Sequence, residues 1–491
     1  MKKSITLLTL STLFAFSAMA DIKIEEGQTI YTSEYSGESI SFKKNATLIV
    51  DESATIGMPN PAVYGANLTV DIKKDQTLTA TGRMIAGGGS MEIIGEGLYN
   101  SNASSVCAST FIVRTKAVAN AGISLGATDG GTLTPGAKMV IASDFESKKS
   151  VYLYKGTASQ PTTLTIGEVD SNGNVLSTGS LNLTSTNYST ANDYWILARD
   201  EGASITINKG SEIKVGVVQL IKEIYTSATD GGADITVNGT LTVNSNPHSG
   251  YKSFSIWANN IKVGSTGVVT SMADPTTSDG DRGMFVKRSL DNAGSISIAS
   301  NLYMSNNSVL TLREGSNIKT GGATSQADAL IYLQDTNKTY TAGGKTYNGV
   351  SSGTKNVANV NLVLEGDQVL GGFRAVAGST LTIDLKGNKL DLGSFEDLDG
   401  GLNFSIIIND FANGLISFAS DSKIATDTAD INKIVKAYAD IDGVKTLLDL
   451  EWKTDGDRSY LFSGSLVPEP AEWAAIFGAI ALAFVAYRRR K

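Results

Sequence analysis

What this sequence is short of narrows its chemistry. Its 491 residues hold one cysteine, Cys107, and one histidine, His248. A lone cysteine excludes a disulfide within the chain, and one Cys with one His excludes the usual zinc sites. A nucleophilic Cys–His pair would require Cys107, in the strand-like SSVCASTFIVRT, to meet His248, in the turn-like NSNPHSGYK. Cys107 reads instead as a small apolar packing group. Prolines number eight, aromatics make up 7% and charged residues 18%. So few prolines among regular β-branched residues argue against a disordered chain. The formal net charge is −8, and a chain of that sign repels nucleic acid and anionic lipid alike. His-Glu-x-x-His and phosphate-loop motifs are missing as well. No catalytic residue, metal or cofactor is therefore expected.

Glycine, at 51 residues, is abundant, as are Ser, Thr and Asn. They recur in one pattern: a small residue, a short alternating run, a Gly or Asn turn, and a second alternating run. It appears as SISFKKNATLIVDESATIG (39–57), GANLTVDIKKDQTLTATG (65–82), GASITINKGSEIKVG (202–216), GADITVNGTLTVNS (232–245) and GSTLTIDLKGNKLDLG (378–393). In ITVNGTLTV, Ile235, Val237, Leu241 and Val243 alternate with Thr or Asn across Asn238-Gly239. A period of two buries one face and exposes the other, where Thr and Asn keep a strand soluble.

Two architectures satisfy that pattern. Hairpins in series would each need a sheet partner, whereas a β-solenoid stacks every short strand on its equivalent in the next coil. Strands of four to six residues with few large side chains favour the solenoid. The expectation is an all-β, elongated β-solenoid (β-helix) over 21–394, with irregular coils of about 25 residues. Segments 271–290 and 335–357 have loop composition and are expected to protrude. Residues 395–466 depart from the texture: FSIIINDF and GLISFA read as strands. Ile431, Ile434, Val435 and Tyr438 then fall at i, i+3, i+4 and i+7, which predicts a helix over 429–440 stopped at Asp442-Gly443. Such a segment would cap the stack, since an uncovered terminal coil is a pairing edge.

Over 22–400 the strand texture resembles the passenger domains of autotransporters and other exported bacterial β-helix adhesins. Tyr194 and Trp195 in NDYWILARDEG, and Trp257 in KSFSIWANN, are of the kind that exported carbohydrate binders use as sugar platforms, and would imply an extracellular polysaccharide partner. Packing at a coil corner is the other reading of the same rings. By fold analogy, a polysaccharide-cleaving enzyme on a β-helix competes with a structural role. Its acidic groups would come from Asp279-Gly280-Asp281-Arg282, Asp397-Leu398-Asp399 or Asp455-Gly456-Asp457-Arg458. Asp-Gly is also a common turn dipeptide, and no EF-hand ligand spacing follows.

The termini are the most specific part. Lys2 and Lys3 precede an apolar run, Ile5 to Phe16, and Ala18-Met19-Ala20 offers a signal peptidase site. Residues 1–20 therefore read as a secretory signal, with the mature chain beginning at Asp21. At the other end, 467–491 is VPEPAEWAAIFGAIALAFVAYRRRK. Pro468, Glu469 and Pro470 hold the chain extended. No charge follows from Trp473 to Tyr487, and then come Arg488, Arg489, Arg490 and Lys491. The segment 473–487 as a helix spans about 22 Å, and snorkelling cations with interfacial Trp473 and Tyr487 extend its reach toward the roughly 30 Å hydrocarbon core. The positive tail belongs in the cytoplasm and the bulk of the chain outside.

Motif, apolar span and basic tail, in that order, resemble the PEP-CTERM sorting signal of Gram-negative bacteria. The resemblance implies that an exosortase, a membrane transpeptidase, recognises Pro468, Glu469 and Pro470 and cleaves at or near them. It implies an inner-membrane-anchored precursor that moves to the cell surface or extracellular matrix. The function expected is structural or adhesive, and not enzymatic.

Overall fold

The alternating runs become strands, and each pairs with its counterpart in the neighbouring coils rather than with the run beside it. In GADITVNGTLTVNS, Asp234–Val237 lies between Ala203–Ile207 and Ile256–Val263, parallel to both. Thr240–Asn244 lies between Glu212–Val215 and Val268–Met272, again parallel. Asn238-Gly239 is thus a corner between two sheets, not a hairpin loop. Stacking of this kind satisfies both backbone edges of every interior strand, which isolated hairpins cannot do. The computed structural model describes residues 22–23, 25–35, 40–41, 45–57, 66–81, 84–102, 106–126, 136–153, 160–183, 195–198, 202–215, 217–219, 234–244, 256–272, 283–335, 338–342, 345–349, 356–428, 430–441 and 443–464. The signal at 1–20 and the sorting segment 467–491, with its span 473–487, lie outside them.

The chain is mostly β, and its large parallel sheets are consistent with a β-solenoid. Sheet 1 runs from Gln28–Tyr31 through Ala46–Val50 and Asn67–Ile72 to Thr380–Asp384, Ser405–Asn409 and Val435–Ile441. One inward column reads Ile30, Leu48, Val70, Ile93, Val113, Ile141, Ile166, Ile207, Val237 and Val263, one residue per coil. All ten are buried, each such side chain contributing about 1.5–3 kcal/mol of burial against the entropy of ordering it. Among the described residues sheet 2 has 11 strands, from Ala54–Ile56 to Asn317–Lys319, all parallel. Its inward column alternates size at Tyr99, Ala117 and Phe145, so that rings fill the space beside a small residue. Sheet 3 includes Ile123–Leu125 and Val151–Leu153 and continues through Leu302–Met304 and Leu330–Leu333 into Gln368–Ala375 and Leu390–Asp397.

Coil length varies more than the expected 25. Equivalent positions are 18 residues apart at Ile30 and Leu48, and 52 apart at Leu310 and Leu362. The corner from sheet 1 to sheet 2 stays tight. At Gly267 a Cβ would lie 2.1 Å from the Val237 carbonyl oxygen, and at Gly294, one coil on, 2.4 Å from the carbonyls of Gly264 and Gly267. Only glycine permits coils to approach so closely there. One hairpin, Glu168–Val169 with Val175–Ser177, interrupts this corner. The long insertions flank sheet 3.

Sheet 2 ends at Asn317–Lys319, where a glutamine side chain takes the place of the next strand. Gln326 Oε1 accepts from the Ile318 amide at 2.7 Å, and Gln326 Nε2 donates to Gln368 Oε1 at 3.0 Å. From Asn359 onward the coils are built on longer strands, Asn359–Glu365 with Gln368–Ala375, then Thr380–Asp384 with Leu390–Asp397.

The C-terminal cap is made of strands, which corrects the expected helix over 429–440. Ile431–Lys433 is a single 3-10 turn, and Val435–Ile441 is a strand. VKAYADI also alternates at period two, placing Val435, Ala437 and Ala439 inward, and pairing with Ser405–Asn409 decides for the strand. Among the described residues of this region, the one short α-helix is Lys423–Thr426. Val444–Leu448 folds back antiparallel on Val435–Ile441. Arg458–Phe462 runs antiparallel between Ile416–Ala419 and Glu451–Asp455. The two expected loop segments also contain structure: Met284–Asn292 is a sheet strand, and Lys338–Ala342 forms a hairpin with Lys345–Gly349. Among the described residues, no helix is long and apolar enough to cross a membrane.

Candidate functional site

The outer faces of the sheets carry whatever the protein presents, and they differ. On sheet 1 the outward column through Thr165, Thr206 and Thr236 is polar and half-buried. Several arginines on the outer faces join one coil to the next. Arg313 donates to Asp291 through Nε at 2.6 Å and Nη2 at 3.0 Å, and also reaches Glu365, which takes a longer contact from Lys386 at 3.4 Å. Hydrogen bonding to Asp291, followed by the charge of Asp291 and that of Glu365, raises the Arg313 pKa above its usual value. Arg114 similarly ties Glu92, at 2.7 Å, to Glu168 on the inserted hairpin. On sheet 3, Arg374 meets Glu396 of the next coil at 2.6 Å. These carboxylates are spread along the stack as coil-to-coil clamps.

The acidic clusters singled out in the sequence are turns where they are described. Asp397 is 1% exposed and accepts from the amides of Gly401 at 2.7 Å, Asp399 at 2.9 Å and Asn403 at 3.2 Å, and from Asn403 Nδ2 at 3.1 Å. Burial pushes its pKa up, but these N–H donors outweigh burial and hold the carboxyl below the ordinary range. Asp455-Gly456-Asp457-Arg458 closes the last hairpin, with Gly456 at φ +62° and Asp455 opposite Arg458. Arg458 is turned onto Ser417, Nε to Oγ at 2.9 Å. Asp279 to Arg282 lie outside the described residues, as does His248. Among the described residues no group of three or more His, Cys, Asp or Glu is arranged to hold a metal ion.

Sheet 3 turns an aromatic column outward. Trp257, Phe285, Tyr303 and Tyr332 occupy one register position in four successive coils, continued by Arg374. Their neighbours Ile256, Ala258, Met284, Val286, Leu302 and Met304 face the main core, while Trp257, Phe285 and Tyr303 form a separate buried cluster packed with Tyr332. Trp257 and Phe285 meet edge-on at 5.2 Å and 62°, and Tyr303 and Tyr332 lie 5.3 Å apart at 47°. Trp257 is 3% exposed, so the exposure that a sugar platform requires is lacking at that ring. Trp195 is in the sheet 3 strand Trp195–Ala198, but its side chain and Tyr194 lie outside the description. Cys107 sits in the strand Val106–Val113, its side chain likewise undescribed.

Phe285, Tyr303 and Tyr332 were not among the sequence candidates, though a signal for them exists. An apolar–aromatic–apolar triplet recurs at 151–153, 256–258, 284–286, 302–304 and 331–333. Ala18, Ala20, Pro468, Glu469, Pro470, Arg488, Arg489, Arg490 and Lys491 all lie outside the described residues. Set against family models, curated proteins and solved structures, the chain matches none.

Proposed function

We propose that this chain is an exported β-solenoid with a structural or adhesive role at the cell surface or in an extracellular matrix. It is sorted through Pro468-Glu469-Pro470 by an exosortase-type transpeptidase and held before processing by a membrane helix over 473–487. The observation that carries the reading is the order of parts along the chain. A secretory signal precedes a long parallel stack, the stack closes at Phe462, and the Pro-Glu-Pro motif follows within a few residues. The coil-to-coil use of Arg114, Arg313 and Arg374 supports a scaffold, because it commits to holding the stack those charges that an enzyme would gather at one site.

Mass spectrometry of the C-terminus of the surface protein tests the sorting step. A mature chain ending at or near 468–470 is expected; an intact Arg490-Lys491 on the surface protein overturns it. Replacing Pro468, Glu469 and Pro470 together by alanine should leave the precursor in the inner membrane. The elongated stack itself is tested by small-angle scattering, which should report a rod rather than a sphere.

A further inference from the structure

We infer that the capped C-terminal end of the stack docks on the lipid bilayer surface before processing, through the edge strand Val444–Leu448. The inference rests on the membrane-anchored precursor of the preceding section and adds a surface of the folded body to it.

Three observations place the bilayer there. The first is the strand itself. Val444 is 61% and Leu447 55% exposed, on a strand whose one partner among the described residues is Val435–Ile441. Beside them, Lys445 Nζ stands 4.7 Å over the Tyr438 ring, opposite which Leu447 is registered. Lys445 and Leu447 share one face of the strand with Tyr438, and Val444 lies on the other, so the free edge carries an apolar side chain to each side beside a ring and an ammonium group that settle at headgroup level.

The second observation is where the tail leaves. Asn413 clasps the end of the last strand, accepting from the Ser463 amide at 2.7 Å and donating to the Ser463 carbonyl at 3.1 Å. The tail therefore starts from a fixed point on the same end of the stack as Val444–Leu448. The third is its length. Residues 464–467 separate the clasp from Pro468, and 464–472 separate it from Trp473. Nine residues reach at most about 30 Å, and the four before the motif about 14 Å. With 473–487 in the bilayer, the cap cannot leave the surface by more than that tether. A tether this short gives the cap an effective concentration at the surface in the millimolar range, enough to populate a contact too weak to hold a free protein. The contact also holds Pro468-Glu469-Pro470 near the plane in which a membrane enzyme works, and it lapses once the tail is cut.

A second exposed apolar group among the described residues, Val169, Val175 and Leu176 on the inserted hairpin, lies mid-stack. No anchor reaches it, so it does not share this argument.

The test uses the full chain in vesicles of the zwitterionic lipids phosphatidylethanolamine and phosphatidylcholine. Leu447→Cys is labelled with an environment-sensitive fluorophore, Thr55→Cys at the opposite end serves as control, and the unsubstituted chain treated alike gives the Cys107 background. The expected result is a blue-shifted emission at position 447 that doxyl-labelled lipids quench by about twofold or more, the factor for a docked state at least as populated as the undocked one. Position 55 should stay water-like. A label at 447 that stays water-like, on a chain that floats with the vesicles, overturns the docking and leaves the anchor standing. A chain that does not float overturns both. Val444→Asp in the labelled chain provides a second readout: it should lower the quenching at 447 without affecting flotation, and unchanged quenching would overturn the role given to this strand.

Discussion

At Thr165, Thr206 and Thr236 of sheet 1, and at Trp257, Phe285 and Tyr303 of sheet 3, side chains occupy the same kind of position: outward on a short parallel strand, repeated coil after coil. The threonines are half-buried, while the three rings are between 0% and 4% exposed. Sheet 1 therefore has one core-facing side and one wet side, whereas sheet 3 is buried on both over these coils. The turns agree with this division. The corner from sheet 1 to sheet 2 is held close by glycines such as Gly267, and the long connections gather around sheet 3. A parallel stack fixes what lies inside it, and its outer faces are free to diverge.

The strongest test of that division is Phe285→Ala. If the outer face of sheet 3 is a second packed core, the substitution should cost about 3–5 kcal/mol, as for an aromatic removed from a main core. Denaturant unfolding would measure it, and a cost within the range of surface substitutions would erase the difference between the sheets.

The tight corner comes next. Gly267→Ala places a methyl group 2.1 Å from the Val237 carbonyl oxygen, and overpacking of that kind costs about 1–3 kcal/mol. Doubling the 273–282 connection beside sheet 3 should cost about 0.6 kcal/mol. Thermal melting of the two variants compares the corner with the connection directly. Equal losses would mean that the corner glycine is not what sets the coil spacing.

Asp397 tests the turn that follows sheet 3. Asp397→Ala leaves its buried amide donors without an acceptor and should cost about 1–3 kcal/mol at neutral pH. The folded carboxyl titrates below its ordinary range, so its stabilisation is present above the unfolded pKa of about 3.9 and is lost as pH falls through the folded value. The gap in melting temperature between wild type and variant should therefore narrow on acidification below about pH 3.9. A constant gap down to strong acid would show that the carboxylate charge contributes nothing there.

How much of this was legible in the sequence depends on what faces out. The five alternating repeats, 39–57, 65–82, 202–216, 232–245 and 378–393, each fold as strand, corner and strand. Threonine and asparagine between apolar residues mark the inward side unambiguously. Sheet 3 offers no such contrast: Ile256-Trp257-Ala258 and Leu302-Tyr303-Met304 are apolar throughout, and alternation cannot say which residue points where. At 429–440 two periods coexisted. Ile431, Ile434, Val435 and Tyr438 satisfied a helix, Val435, Ala437 and Ala439 a strand, and the waiting edge of Ser405–Asn409, a long-range partner, selected the second. The exposed pair on the cap was invisible for a related reason, since Val444 and Leu447 look like any other strand residues until their strand proves to be the last.

The smallest expected effect closes the comparison from the wet side. Thr206 stands in the middle of the outward column of sheet 1, between Thr165 and Thr236. Thr206→Ala removes a hydroxyl and a methyl group from a half-exposed surface and leaves Ile205 and Ile207, both buried, in place. The penalty is the lower strand preference of alanine, on a scale that spans about 1 kcal/mol in all. Substitutions clear of special features otherwise fall within about 0.5 kcal/mol of wild type. The same outward position should thus be nearly silent on sheet 1 and severe at Phe285, and parallel unfolding curves would show it. A loss at Thr206 approaching that at Phe285 would mean that the hydroxyl column is itself a packed, partner-like face. Sheet 1 would then be covered as sheet 3 is, and the scaffold would have no free outer side there to present.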